Sequence, residues 1–234
     1  MRKINKLPLP LSTQRQIDAK ISTGKAYIDL TTKQCKSIRR KLLESQKYLC
    51  CYCERQISKD CHIEHFYEQD DYTIHGIHSL DYAQNLIASC EGDKDPTDKK
   101  DETPAERIYR QENISCGHRK GKAYHQNISV DYTLLLNPQN DISHLISYVS
   151  GYISANNNCT AIEKMQVDYT IKRLALDSDK LNIRRINAIN ELQKILPLDP
   201  QELTVYLQEI FDETQEELSQ YFSTLKENFA FLLS

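Results

Sequence analysis

The sequence lacks any apolar run approaching the roughly 20 residues that a membrane-spanning helix requires. Residues 1–14 include basic residues but no apolar stretch behind them, so they do not resemble a secretory signal. These two absences predict a cytoplasmic protein with no membrane partner. Because cytosolic thiols stay reduced, a disulfide framework is not expected for the eight cysteines, and metal binding is the leading explanation for them.

An excess of charge of either sign is also missing, since the net charge of the 234 residues is only −3. The charges are nevertheless segregated along the chain: residues 1–60 carry a net +9, residues 61–106 a net −9, residues 107–125 a net +4 and residues 126–234 a net −7. Two basic blocks flanking a central segment suit a polyanionic substrate. The alternative is a basic, solvated helix face without a ligand.

Hydrophobic periodicity divides the chain into three parts, and no internal repeat is visible. Residues 1–10 are predicted to be extended, and the tract Glu91–Glu106 to be a long acidic loop. Helices are predicted over Thr32–Lys47, as a short basic segment over His118–Tyr124, over Ala161–Ala175 and Asp179–Leu196, and from Pro200 onward. Hairpins are predicted over Ile57–Phe66 and Ile146–Ile153.

Four cysteines have a pattern typical of a structural zinc site. Cys50 and Cys53 form a C-x-x-C pair, in which both thiolates of a tight turn can face one tetrahedral Zn²⁺. Cys90 and Cys116 are the predicted second pair, and a metal between such distant segments would tie them together.

Three alternatives to this zinc site remain open. A redox pair is one, although no strand-then-helix pattern of the thioredoxin type surrounds the C-x-x-C. Scattered core thiols are another, as we assume for Cys35 and Cys159. In the third, Cys51 or Cys61 replaces one of the four ligands.

Between the cysteine pairs lie the residue types that phosphodiester hydrolysis requires. The reaction needs a base for water, a cation beside the phosphate and a group that holds the base in position. A neutral imidazole is a suitable base near neutral pH. The segments His62–Phe66, Leu80–Leu86 and Cys116–Lys122 supply imidazoles, a carboxylate and a side-chain amide.

These segments resemble the HNH nucleases, and most closely the HNH subunit of Septu-type and retron-associated anti-phage systems. The resemblance rests on Cys-Tyr-Cys-Glu at 51–54, His-Ile-Glu-His-Phe at 62–66, Asn85 to Cys90, and Cys-Gly-His-Arg-Lys at 116–120. Weaker signals beyond residue 130 extend it over most of the chain.

The resemblance implies an α+β fold with three parts. Residues 1–47 would form a basic arm and helix, residues 48–126 a zinc-stabilised ββα-metal core, and residues 127–234 a hairpin and a mainly α-helical domain that binds a partner.

The resemblance also implies roles for individual residues. Glu64 and His118 would be the ligands of a catalytic Mg²⁺ or Mn²⁺, His65 the general base, and Asn85 the residue that orients it. For His62, packing or substrate contact is favoured over a metal role. The products would carry 5′-phosphate and 3′-hydroxyl ends.

Substrate and partners follow from charge and from the resemblance. Arg119, Lys120 and Lys122 are predicted to contact phosphates, which would make binding salt dependent. DNA is favoured as the substrate over RNA. The implied partners are an ABC/SMC-like ATPase and, in retron systems, a reverse transcriptase with its RNA–DNA hybrid. The acidic loop over residues 91–106 is hypothesised to shield the cleft until a partner moves it.

A competing interpretation is a zinc-built module that binds nucleic acid or a partner without catalysis. The joint presence of Glu64, His65, Asn85 and His118 argues against it, because a pure scaffold needs only the cysteines. A zinc hydrolase is a more distant alternative, since its metal needs three convergent ligands.

Overall fold

The computed structural model describes residues 1–68, 76–93, 103–195 and 199–233, which form an α+β fold as predicted. The described helices are α1 (Leu11–Ser22), α2 (Thr32–Ser45), α3 (Pro104–Glu112), α4 (Cys116–Lys120), α5 (Ala161–Leu174), α6 (Asp179–Gln193), α7 (Pro200–Ile210) and α8 (Phe222–Phe229). The described strands are β1 (His62–His65), β2 (Leu86–Ser89), β3 (Ile146–Ser147) and β4 (Ser154–Ala155). Among the described helices, none is long and apolar enough to cross a membrane.

Helix α2 begins where its sequence signals predict. The Thr31 hydroxyl accepts a hydrogen bond from the Gln34 amide, and the Gln34 side chain accepts one from the Thr31 amide, which is a capping box. Ile38 and Leu42 are fully buried on its inner face. The helix ends at Ser45 because Lys47 and Tyr48 have positive φ angles of 55° and 60°.

The predicted hairpin over Ile57–Phe66 is wrong. β1 pairs instead with β2 in antiparallel register, with His62 opposite Ser89 and His65 opposite Leu86. The segment before β1 makes a single isolated bridge, from Leu49 to Gln56, because it is committed to the turn that carries Cys50 and Cys53. All four residues of β2 are buried, so this strand gives β1 a partner inside the core.

The later part of the chain follows the predictions more closely. β3 and β4 form the predicted antiparallel hairpin around a 3₁₀ turn at Val149–Gly151. The helices α5 and α6 begin at the predicted residues, and α7 begins at Pro200 with the Asp199 carboxylate accepting from the Gln201 amide at 2.9 Å.

Two helices in the first half of the chain are not predicted from the sequence. α1 buries only Ile17, which leaves little periodicity to detect. α3 begins inside the tract expected to be an acidic loop, so that expectation is wrong for residues 103–106; residues 94–102 lie outside the described parts of the chain. Its start is marked by a capping box between Thr103 and Glu106.

Two hydrophobic cores hold these elements together. The first core takes buried residues from α1, α2, the cysteine-rich segment, β1, β2, the β3–β4 hairpin and α5. Residues from all three predicted parts of the chain, 1–47, 48–126 and 127–234, therefore contribute to the first core. The boundaries between these parts stay predictions. The second core consists of Leu49, Ile189, Leu192, Leu207, Phe211, Leu218, Phe222, Leu225 and Phe229.

Candidate metal and catalytic site

Four buried thiols form a compact cluster at one end of β2. The sulfur atoms of Cys50, Cys53, Cys90 and Cys116 all lie within 4.8 Å of one another. The Cys50–Cys116 and Cys53–Cys90 Sγ distances are 3.9 and 3.7 Å. Tetrahedral Zn²⁺ with bonds of about 2.3 Å places its sulfur ligands about 3.8 Å apart. The predicted four-cysteine group is confirmed as one that could hold a metal such as zinc, and neither Cys51 nor Cys61 belongs to it.

Backbone hydrogen bonds fix the geometry of this cluster. The Cys50 carbonyl accepts from the Glu54 amide at 3.1 Å, which closes the turn of the C-x-x-C pair. The Cys90 amide donates to the Cys50 sulfur at 3.3 Å, a contact that favours the thiolate. Gly92 has a φ of +58°, and a Cβ there would lie 2.0 Å from the Ser115 carbonyl oxygen. Only glycine therefore allows the Cys90 and Cys116 segments to meet this closely.

Glu64 occupies the centre of the neighbouring polar site. Its Oε1 accepts from the Lys120 ammonium group and lies 3.5 Å from the Tyr52 hydroxyl, while its Oε2 lies 3.6 Å from His62 Nε2. Burial alone would raise the pKa of Glu64, but the Lys120 ammonium and His62 lower it to about 2. The carboxylate is therefore ionised at neutral pH.

Lys120 is not placed to contact phosphates as the sequence suggests. Lys120 is 3% exposed, and its ammonium group donates to Glu64 and to the carbonyl oxygens of His65 and Phe66. A buried ammonium is stable only with such partners, and the end of β1 supplies all of them. Arg173 of α5, which the sequence did not single out, donates from Nε to the Lys120 carbonyl at 2.8 Å and so holds the end of α4.

His65 lies at the end of β1 and is 7% exposed. The Tyr27 ring meets its imidazole edge-on, with 4.7 Å between the ring centroids. Burial lowers the pKa of His65 to about 4, helped by the charges of Lys120 and His62 and opposed by Glu64. The imidazole is therefore neutral at physiological pH, which is the form that a general base requires.

Asn85 is fully buried immediately before β2. Its Oδ1 accepts from the Tyr67 amide at 2.7 Å, and its carbonyl oxygen accepts from the Phe66 amide at 2.8 Å. These bonds fix the backbone that follows His65, and the orientation of His65 by Asn85 stays a prediction.

His118 lies in α4 beside the exposed end of the site. Its Nε2 is 3.0 Å from a Glu91 carboxylate oxygen, and its ring centroid is 5.0 Å from that of His62. Glu91, which the sequence did not single out, is thus an acidic contact of this predicted ligand. Within the described residues, Glu64 and His118 do not join a third ligand in a group as tight as the four thiols.

The remaining predicted phosphate contacts lie in α4 and just after it. Arg119 donates to the Gln111 carbonyl at 2.9 Å and packs over the Tyr124 ring, with 5.2 Å to its centroid. Lys122 begins a 3₁₀ turn, Lys122–Tyr124. Phosphate binding by Arg119 and Lys122 stays a prediction.

Comparison with known proteins does not assign the chain to a family. No protein-family model matches the sequence, and no curated protein matches it significantly. The function is therefore inferred from the geometry and chemistry of the site itself.

Proposed function

We propose that the chain is a metal-dependent endonuclease of the HNH type that hydrolyses phosphodiester bonds, in DNA rather than RNA. One observation carries the proposal: the His62 ring lies between Glu64 and His118, with its Nε2 3.6 Å from Glu64 Oε2 and its centroid 5.0 Å from that of His118, and His65 follows Glu64 at the end of β1. β1 supplies the carboxylate and the neutral imidazole, and α4 begins at a cysteine of the cluster and supplies the second imidazole.

The donors present fit a divalent metal at this site. Oε1 of Glu64 is bound by Lys120, whereas Oε2 faces His62 and the backbone of Gly117, next to His118. Glu64 and His118 would hold the ion: the carboxylate oxygen is the ligand type that Mg²⁺ and Mn²⁺ prefer, and the imidazole nitrogen would be the second donor. When bound, Mg²⁺ or Mn²⁺ would polarise the scissile phosphate and stabilise negative charge in the transition state.

The protein's own groups have separate tasks in this proposal. His65, neutral at physiological pH, accepts the proton of the attacking water. Lys120 balances the buried charge of Glu64 and ties α4 to the end of β1. Asn85 fixes the backbone after His65, so that the imidazole keeps its position during proton transfer.

The proposed setting is anti-phage defence in the cytoplasm, controlled by an ABC/SMC-like ATPase and, in a retron context, by a reverse transcriptase with its RNA–DNA hybrid. Sequence resemblance supports these partners. The charge distribution is compatible with them, because residues 126–234 carry a net −7 and would repel nucleic acid while offering an acidic surface to a protein.

A non-catalytic zinc module is the second candidate, and burial favours it. His65 is 7% exposed and Glu64 is already neutralised by Lys120, which are properties of structural groups as well as catalytic ones. In that case the basic surface or the acidic helices would only dock a partner.

Cleavage assays with matched histidine variants test the proposal. Plasmid, single-stranded DNA and total tRNA would be incubated with Mg²⁺ or Mn²⁺ and wild type, His65→Ala or His144→Ala, alone and with a co-encoded ATPase. His144 is exposed in a 3₁₀ turn and serves as the control. We expect DNA cleavage by wild type and His144→Ala, and a loss of at least about 100-fold in His65→Ala, with unchanged zinc content. Equal cleavage by all three proteins would exclude His65 as the base, and silence from all of them with the ATPase present would favour the binding module.

A further inference from the structure

A cavity of about 750 Å³ lies between α6, α7 and the segment leading into α8. Its size is within the range of 300–1,000 Å³ typical of small-molecule sites. None of the groups assigned to the proposed nuclease reaction lines it.

Two arginines in the wall of this cavity converge on one carboxylate. Arg55 Nη1 and Arg184 Nη2 donate to Asp93 Oδ1 at 3.0 and 2.8 Å, and Arg184 Nη1 donates to Asp93 Oδ2. Asp93 itself is 10% exposed, whereas about a third of each arginine side chain remains accessible, 35% for Arg55 and 33% for Arg184. The guanidinium groups are thus already arranged around an oxyanion, on side chains that stay partly accessible.

The rest of the wall is suited to a ligand with a polar and an apolar part. Asn187, Ser219 and Gln220 bring side-chain hydrogen-bond donors, and Ala188 and Leu192 bring apolar surface. Glu191 is the one acidic residue among those lining the cavity, against two arginines. Once Asp93 leaves the two guanidinium groups, their charges outweigh that of Glu191, and the planar guanidinium fork matches phosphate oxygens in pairs.

We propose that this cavity binds a phosphate-bearing small molecule, whose phosphate replaces the Asp93 carboxylate on Arg55 and Arg184. A phosphate offers three acceptor oxygens and up to two negative charges, where Asp93 offers two oxygens and one charge. Asp93 then competes with the ligand, so removing its charge should strengthen binding. An ion network with a purely structural role predicts no binding in any variant.

Calorimetric titration of the zinc-loaded full chain tests the site in a buffer free of phosphate. The probes are inorganic phosphate, pyrophosphate and ATP. We expect saturable binding to wild type, weakened on the order of tenfold in Arg55→Gln and Arg184→Gln, and tightened several-fold in Asp93→Asn. Arg15→Gln removes the same charge from an exposed position on α1 and should bind like wild type. Tighter binding of ATP than of pyrophosphate would show that the apolar wall holds a base, and equal binding that phosphate alone is recognised.

Two results would overturn the proposal: absence of binding to both wild type and Asp93→Asn at millimolar probe, or affinity unchanged in both arginine variants. If Arg184→Gln fails to fold, Arg184→Lys replaces it in the titration. This variant keeps the positive charge but loses the planar guanidinium group that binds two oxygens at once. Weaker phosphate binding by Arg184→Lys than by wild type would support the site. The titration does not depend on nuclease activity, so either proposal can fail without the other.

Discussion

Gly117 shows how a single missing side chain positions the candidate site. A Cβ at this residue would lie 2.4 Å from Glu64 Oε2 and 3.0 Å from Ser89 Oγ, in a region where β1, β2 and α4 meet. Gly117→Ala should therefore displace Glu64 or α4 and lower the free energy of unfolding by about 1–3 kcal/mol. Urea denaturation followed by circular dichroism measures this loss.

Gly121→Ala is the matched control for that substitution. Gly121 lies four residues further along, no heavy atom is within 4 Å of the position of its Cβ, and its φ of −59° suits any residue. We expect its stability to stay within about 0.5 kcal/mol of wild type. If Gly117→Ala and Gly121→Ala lowered the free energy of unfolding equally, the close approach of position 117 to Glu64 would not be the cause of the loss.

At the residue scale, the sequence predicts which residues can bind a metal better than it predicts the contacts that each side chain makes in the fold. The zinc cysteines could be chosen because their spacing and chemistry are both distinctive. The role of Lys120 could not be predicted, because lysines are seldom buried. Only the fold shows that its ammonium group binds Glu64. Glu91 and Arg173 carry no local signal, since each acts on a residue distant in sequence.

Among the structural elements, the cysteine cluster joins the most distant segments. It links the turn after α2, the residue after β2 and the start of α4. If Zn²⁺ binds there, the metal should supply much of the stability of this region. We expect Cys90→Ser, or treatment with a strong chelator, to remove bound zinc and abolish the cooperative unfolding transition of the cysteine-rich segment.

Zinc content by atomic absorption, together with thermal unfolding, measures that effect. Cys159→Ser is the control, because Cys159 is half-buried and lies outside the four-sulfur cluster. It should retain zinc at the wild-type ratio. Full zinc occupancy in Cys90→Ser would exclude Cys90 as a ligand.

Elements with strong local signals could be predicted, and pairings between distant strands could not. α2, α5 and α6 show helical periodicity and begin near their predicted residues. The partner of β1 begins 21 residues after β1 ends, so a nearby turn looked more favourable than the buried β2. α3 could have been predicted from the capping box Thr103–Glu106, but the acidic composition before it concealed that signal.

At the scale of the whole molecule, Asp93 connects parts of the chain that are distant in sequence. Arg55 follows the C-x-x-C turn of the first core, and Arg184 lies on α6, which contributes Leu181 to the first core and Ile189 and Leu192 to the second. Burial alone would raise the pKa of Asp93, but its hydrogen bonds and ion pairs with Arg184 and Arg55 hold it below the usual value. The network therefore stabilises the folded chain only while Asp93 is ionised.

The sign of the pH dependence follows from this lowered pKa. A carboxyl group whose pKa is lower in the folded than in the unfolded state contributes its full stability above the unfolded value of about 3.9 and loses it as the pH falls through the folded value. Asp93→Asn should thus be less stable than wild type by about 1–3 kcal/mol at pH 7, and the difference should shrink below about pH 4. Urea denaturation between pH 3 and 7 in acetate and MOPS buffers measures it. Asp168→Asn, at an exposed position on α5, should show no such difference. A gap between Asp93→Asn and wild type that stays constant down to pH 3 would mean that the charge of Asp93 contributes nothing to the stability of the folded chain.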